Sequence, residues 1–191
     1  SYQDLWWRTE PSGESDSSAS FHVAYDQQNL YVGVDVRDEA VVCNIAPDDV
    51  RAQLRSDAVG ITVDPSGRSR DTSTVIQAAA FPCTTEGFQA RGFRDADANQ
   101  GLMEETAPGM QVSSRKTDTG YTLEFSIPWA VMPEQPALGD EIGLNIVIYD
   151  GDETDARVGA NISQSGIAWA AFSWGGKQAL PYVWPRVVLG R

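Results

Sequence analysis

GYTLEFSIPW (Gly120–Trp129) and EIGLNIVIYDGDE (Glu141–Glu153) decide the fold. In the first, Tyr121, Leu123, Phe125 and Ile127 fall on one face, and Thr122, Glu124 and Ser126 on the other. Ile142, Leu144, Ile146 and Ile148 repeat the pattern in the second. Apolar residues at every second position lay one face of an extended strand on a core, whereas a helix needs spacings of three and four. Pro128-Trp129 stops the first strand, and a cluster of aspartates opens the loop after the second.

Working outward, SFHVAY (Ser20–Tyr25), the turn DQQN (Asp26–Asn29) and LYVGVDVR (Leu30–Arg37) predict a hairpin. Its core side is Phe21, Val23 and Tyr25 beside Leu30, Val32, Val34 and Val36. DAVGITVD (Asp57–Asp64) and STVIQAAAF (Ser73–Phe81) predict two strands joined through PSGR (Pro65–Arg68). GFQAR (Gly87–Arg91) reads as a short strand, and GMQVSSRK (Gly109–Lys116) pairs with GYTLEFSI across the turn TDTG (Thr117–Gly120). GIAWAAF (Gly166–Phe172) and VWPRVVLG (Val183–Gly190) complete the series, Pro185 marking an edge or a bulge. Asp38 to Ser56 is a long polar connection with one helical turn around Asp48–Leu54, and Asp95–Gly109 is an acidic loop.

Eight to ten short strands without an internal repeat make an all-β antiparallel sandwich, jelly-roll-like, with long acidic loops. The 191 residues read as one domain, a lead-in segment over 1–19 and a core over 20–191.

The formal charge is 14 − 27 = −13, and no basic stripe occurs. Nucleic acid needs clustered Lys and Arg, so it is excluded as a partner, and an anionic membrane surface is disfavoured for the same reason. No apolar run approaches the roughly 20 residues of a membrane-spanning helix, so no membrane insertion is expected. The chain starts without a signal peptide, so such a segment is expected to have been removed or to lie upstream in a larger protein. Twelve of the 14 basic residues are Arg, which hints at a GC-rich bacterial genome.

The two cysteines, Cys43 and Cys83, lack CxxC spacing, and the single His22 is far away in sequence, which argues against zinc. They read as a disulfide, with two buried thiols as the alternative. A disulfide implies export to an oxidising compartment, hence a secreted or cell-surface protein.

The order of segments resembles carbohydrate-binding module family 9 and the wider DOMON-like sandwiches. The resemblance rests on YDQQNLYVGVDVRDEAV, RSDAVGITVDP, GYTLEFSIPW and IGLNIVIYDGDETDARVG, which cover about Ser20 to Gly159. It implies a secreted, calcium-containing β-sandwich attached to catalytic or cell-surface domains of a larger protein. Its best-studied members grip the reducing end of a glucan or xylan between two tryptophans. Here the first of those tryptophans would fall near Leu54, the sugar-binding glutamate near Gly60, and an arginine and asparagine near Gln77 and Ala79. The reducing-end grip is therefore not carried over residue by residue.

Asp150, Asp152 and Asp155 cluster in YDGDETDAR, and alternating carboxylates on a tight loop present several hard oxygens to calcium. Asp38 and Asp57, beside strand ends, join them as candidate ligands. Solvated acidic turns and caps are the alternative for all five. For a glycan, the candidate platforms are Trp169, Trp174 and Tyr182 in or beside the Gly-rich stretch near the C-terminus, because sugar C–H faces stack on aromatic rings. Trp129 and Trp184 read as core. Gly33, Gly60 and Ala79, with Asp35, Thr62, Gln77, Glu124 and Asn145, are expected either to floor a shallow polar groove on one sheet or to lie under a loop.

Catalysis finds little support, since His22 lacks any triad signature and no phosphate-binding glycine loop occurs. The expected function is a non-catalytic module binding polysaccharide or oligosaccharide by aromatic stacking, with structural calcium. The alternatives are a structural or protein-docking domain without a sugar site, or a haem-binding electron-transfer domain using His22 with Met103, Met110 or Met132.

Overall fold

A computed structural model describes residues 2–3, 11–49, 55–94, 107–163, 165–169 and 180–190. Eleven strands occur among them: β1 Tyr2–Gln3, β2 Ser18–Tyr25, β3 Asn29–Arg37, β4 Ala58–Asp64, β5 Ile76–Phe81, β6 Arg91–Arg94, β7 Gln111–Thr117, β8 Gly120–Pro128, β9 Glu141–Asp150, β10 Ser165–Ala168 and β11 Arg186–Val188. They form two antiparallel sheets. The larger runs β1-β10-β9-β4-β5-β6 with β11 also pairing β9, and the smaller runs β2-β3-β8-β7.

The alternation read in the sequence sets the packing. Leu30, Val32, Val34 and Val36 of β3 and Tyr121, Leu123, Phe125 and Ile127 of β8 are buried against Val59, Ile61 and Val63 of β4 and Ile142, Leu144, Ile146 and Ile148 of β9. Phe21, Val23 and Tyr25 of β2 flank this core, half-buried. Burial of this apolar surface at roughly 25 cal/mol per Å² is the main favourable term in folding. Trp129 and Trp184 are buried, and the Trp129 indole donates to the Asp26 carbonyl at 2.9 Å.

The larger sheet is buried on its outer side as well. Ala58, Ala79, Phe81, Phe93, Val147, Tyr149 and Ala168 form a second cluster there with Ile45, which comes from the β3–β4 connection. The Cys43–Cys83 disulfide forms and pins that connection to the sheet just past β5.

Four local expectations shift, the first being that Thr72–Thr74 form a 3-10 turn capped by Asp71, so the strand read from Ser73 begins at Ile76. The short strand lies at Arg91–Arg94, because Thr84 and Gly87 close a tight turn with Gly87 at φ +120° and the chain becomes extended only beyond it. The last strand is confined to Arg186–Val188, since Pro181–Val183 form a 3-10 turn and Pro185 immediately precedes the pairing. The proposed single groove divides between the sheets: Gly33, Asp35 and Glu124 lie on the smaller one, and Gly60, Thr62, Gln77, Ala79 and Asn145 on the larger. Those strands are not neighbours, so their outer faces look away from each other. The expected helical turn lies mostly, and the Asp95–Gly109 loop up to 106, outside the described residues.

Candidate functional site

The inward rows of both sheets end at one rim in carboxylates. Asp57 has the parity of Val59 and Ile61, Asp150 that of Ile146 and Ile148, and Asp38 that of Val34 and Val36. Pairing of Ala58 with Tyr149 sets Asp57 beside the end of β9. Oxygens of Asp38, Asp57 and Asp150 consequently lie within 4.8 Å of one another, and all three side chains are buried, Asp57 to 1% exposure. Asp150 also joins Asp16 and Asp152 in a second such group.

Each acid is held. Asp57 accepts from the Val42 N–H at 2.6 Å and the Gly151 N–H at 2.9 Å. Asp150 accepts from the Ser165 hydroxyl at 2.7 Å, its partner across the β9–β10 register. Asp38 accepts from the Ala40 N–H at 2.7 Å. The turn Gly13–Ser17 delivers Asp16, which accepts from the Ser12 N–H. From the smaller sheet the buried Tyr121 hydroxyl has no hydrogen-bond partner among the described residues, and its electrostatic neighbours are Asp57, Asp38 and Asp150.

Buried carboxylates this close cannot all ionise cheaply without positive charge. Burial, added to by neighbouring carboxylates, pushes Asp150 up to about 7 and Asp38 up to about 6, and raises Asp57 well above the usual carboxylate range. Asp152 is raised as well, by burial and then by Asp16. Among the described residues no Lys or Arg is paired with the three buried acids. Oxygen-only donors, a charge deficit and an unpartnered buried hydroxyl fit a hard cation of the calcium type.

Asp155, expected to complete the set, lies exposed in the turn after Asp152 and belongs to neither group. The sequence reading put Asp150, Asp152 and Asp155 on one loop and added Asp38 and Asp57 from strand ends, and the fold joins Asp38 and Asp57 with Asp150 alone of that loop in the buried group. Asp16 was missed because nothing in its Ser-rich surroundings signals the approach to Asp150. The parity of Tyr121 with Asp38 across paired strands was the one legible hint of its neighbourhood.

The candidate sugar contacts scatter. Trp169, just past β10, is 38% exposed, its ring edge-on to Phe21 with centroids 5.0 Å apart. Together with Ala19, Phe21, Ile146, Ile148 and Ile167 it lines an apolar slot of about 180 Å³ between the sheet edges. Tyr182 is 54% exposed in the 3-10 turn before β11. Trp174 lies outside the described residues. Gln77 and Asn145 flank Thr62 in one cross-strand row on the outer side of the larger sheet, and both are buried, which places them under cover rather than on an open groove floor. For haem, His22 faces solvent on the smaller sheet while Met110 and Met132 pack toward the core on its other side, so the fold does not bring them together. Met103 lies outside the described residues.

The family model described as "Carbohydrate family 9 binding domain-like" matches residues 1–189. The chain belongs to this family. Within the family 9 fold, a carbohydrate binding module family 9 from Caldicellulosiruptor kristjanssonii in complex with cellotriose is similar over 94% of this chain and 79% of that one, at TM-score 0.66 and 16% identity. The module from the same organism in complex with glucose is similar over 94% and 80%, at TM-score 0.64 and 17% identity. No curated protein matches the chain. At these identities the structural likeness establishes the fold. In this family 9 domain, the positions where the sequence resemblance set the glutamate, arginine and asparagine of the grip (Gly60, Gln77 and Ala79) are buried on the outer side of the larger sheet.

Proposed function

We propose that this chain is a non-catalytic carbohydrate-binding module of a secreted bacterial polysaccharide-active protein, joined there to catalytic or cell-surface domains. The observation that carries this reading is the family 9 match over residues 1–189. The disulfide is consistent with an oxidising compartment. The ligand is a polysaccharide or oligosaccharide held by stacking on exposed aromatic rings. Trp169 is the leading platform, because Phe21 fixes its ring while much of it stays open, and Trp174 and Tyr182 are the further candidates.

Calcium is the resident ion in this reading. Asp38, Asp57 and Asp150 would hold it, with Asp16 and Asp152 supplying the adjoining group. Its chemistry there is structural: it neutralises buried charge. The chain's own part is to aim the carboxylates through Val42, Gly151 and Ser165, so that bound sugar meets loops already fixed in place.

The test is a pull-down on a panel of soluble and insoluble polysaccharides, with calcium and with chelator. The expected result is retention on one glycan class, weakened about tenfold by Trp169→Ala, as loss of one stacked ring implies. Lack of retention on every glycan would replace this reading with a docking or structural domain.

A further inference from the structure

The connection between β3 and β4 carries several fastenings in immediate succession. Asp38 contributes a carboxylate to the buried group. The Val42 N–H orients Asp57 at 2.6 Å, and the Val42 carbonyl accepts from the Ser56 hydroxyl at 3.0 Å. Cys43, the next residue, is bonded to Cys83. Asn44 then holds the loop that follows β9, its carbonyl accepting from the Gly159 N–H at 2.7 Å and its amide donating to the Ala160 carbonyl at 3.0 Å. Ile45 ends the run, buried on the larger sheet with its carbonyl accepting from the Thr85 N–H at 2.8 Å.

One non-strand segment thus supports both sides of the acidic rim, and among the described residues the disulfide is its only covalent cross-link to the larger sheet apart from the chain's own continuation into β4. The carboxylates it helps gather repel one another, so any slack in the segment opens the group. We propose that the Cys43–Cys83 disulfide is a positioning device for the cation site, linking calcium affinity to thiol oxidation state. This rests on the calcium reading above. With the bond intact the oxygens are assembled before the ion arrives; with it reduced, the ion must order the segment itself and binds more weakly. The linkage is reciprocal, so calcium protects the disulfide by the same factor. A module leaving a reducing compartment would acquire its full affinity for calcium only on oxidation.

The experiment measures calcium binding by titration calorimetry on the native protein and on the Cys43→Ala/Cys83→Ala variant, with folding verified by near-ultraviolet circular dichroism. The dissociation constant is expected to rise at least about tenfold in the variant. Val112→Ala, which loosens packing at the opposite end of β7, serves as the control and leaves the constant unchanged. In parallel, the native protein is equilibrated with glutathione redox buffers with calcium and with chelator. A tenfold linkage makes the two-electron potential about 30 mV more reducing in calcium, a readout that stands even if the variant fails to fold. Native protein that binds no calcium overturns the cation reading and this proposal with it. Native binding with a potential unmoved by calcium overturns the linkage alone.

Discussion

Asp150 ends β9 with the parity of Ile142 to Ile148, so a carboxylate stands where the pattern would put another core aliphatic. Burial raises it from 3.8 to about 7 and Asp38 to about 6. A folded-state pKa above the unfolded one contributes stability that is fully present below the unfolded value and lost as pH rises through the folded one. In chelator, the melting temperature should therefore fall between pH 5 and pH 8, on the order of a few kcal/mol of stability. Asp150→Asn should flatten that slope and be more stable than the parent at pH 8. Calcium should reverse the trend, because it selects ionised ligands and expels their protons. A melting temperature independent of pH across that window in chelator would contradict the picture. At this scale the sequence was partly legible. Asp38 and Asp57 were nominated for their places beside strand ends and Asp150 for its loop cluster, but the spacing that also nominated Asp155 describes a loop ligand set, and the three buried acids share the parity of the core rows instead.

Among the elements, the β4–β5 turn shows how a buried charge behaves when it is fully engaged. Asp64 ends β4 and accepts from the Ser66 hydroxyl and N–H and from the Ser69 N–H and hydroxyl, while Arg186 of β11 lies 3.7 Å away. Burial alone would raise its pKa, but the Ser69 and Ser66 hydrogen bonds outweigh it and the group is lowered. Its contribution is accordingly present above the unfolded value of 3.8 and lost as pH falls below it. Asp64→Ala takes the acceptor from the Ser66 and Ser69 N–H groups and leaves Arg186 with Glu141 at 3.8 Å as its remaining carboxylate, and should cost about 3 kcal/mol at neutral pH, read from the urea midpoint. The deficit should shrink toward pH 2; an equal deficit there would mean that lost packing, not charge, is responsible. The strand Ala58–Asp64 and the turn after it were legible because alternation and Pro-Ser-Gly punctuation are local. The pairing of β11 with the near end of β9, which brings Arg186 to Asp64, was not, because contact across such a separation leaves no periodic trace.

For the whole molecule, the two sheets share a packed interior but meet at one rim through like charges. Asp57 and Asp150 flank the larger sheet, and Asp38 with Tyr121 the smaller. The alternating segments made the sandwich readable, yet they could not say which outer face stays open. Gly60, Gln77 and Asn145 look in sequence like Gly33, Asp35 and Glu124, and only the tertiary fold shows the first set covered and the second facing out. The same limit applies to the rim, where the decisive fact is distance between sheets. A cation held there ties the sheets together, so its effect should be global in stability and local in dynamics. At a hundredfold excess over its dissociation constant, calcium should add about 2.7 kcal/mol, which for a chain of this size raises the melting temperature by about 5–10 °C. Hydrogen exchange should slow most at the amides that hold the acids, those of Ala40, Val42 and Gly151, and least at the opposite end, around Gln28 and Trp129. Uniform slowing along both sheets would mean that the ion stabilises the fold without clamping this rim, and an unchanged melting temperature in excess chelator would remove the ion from the structure altogether.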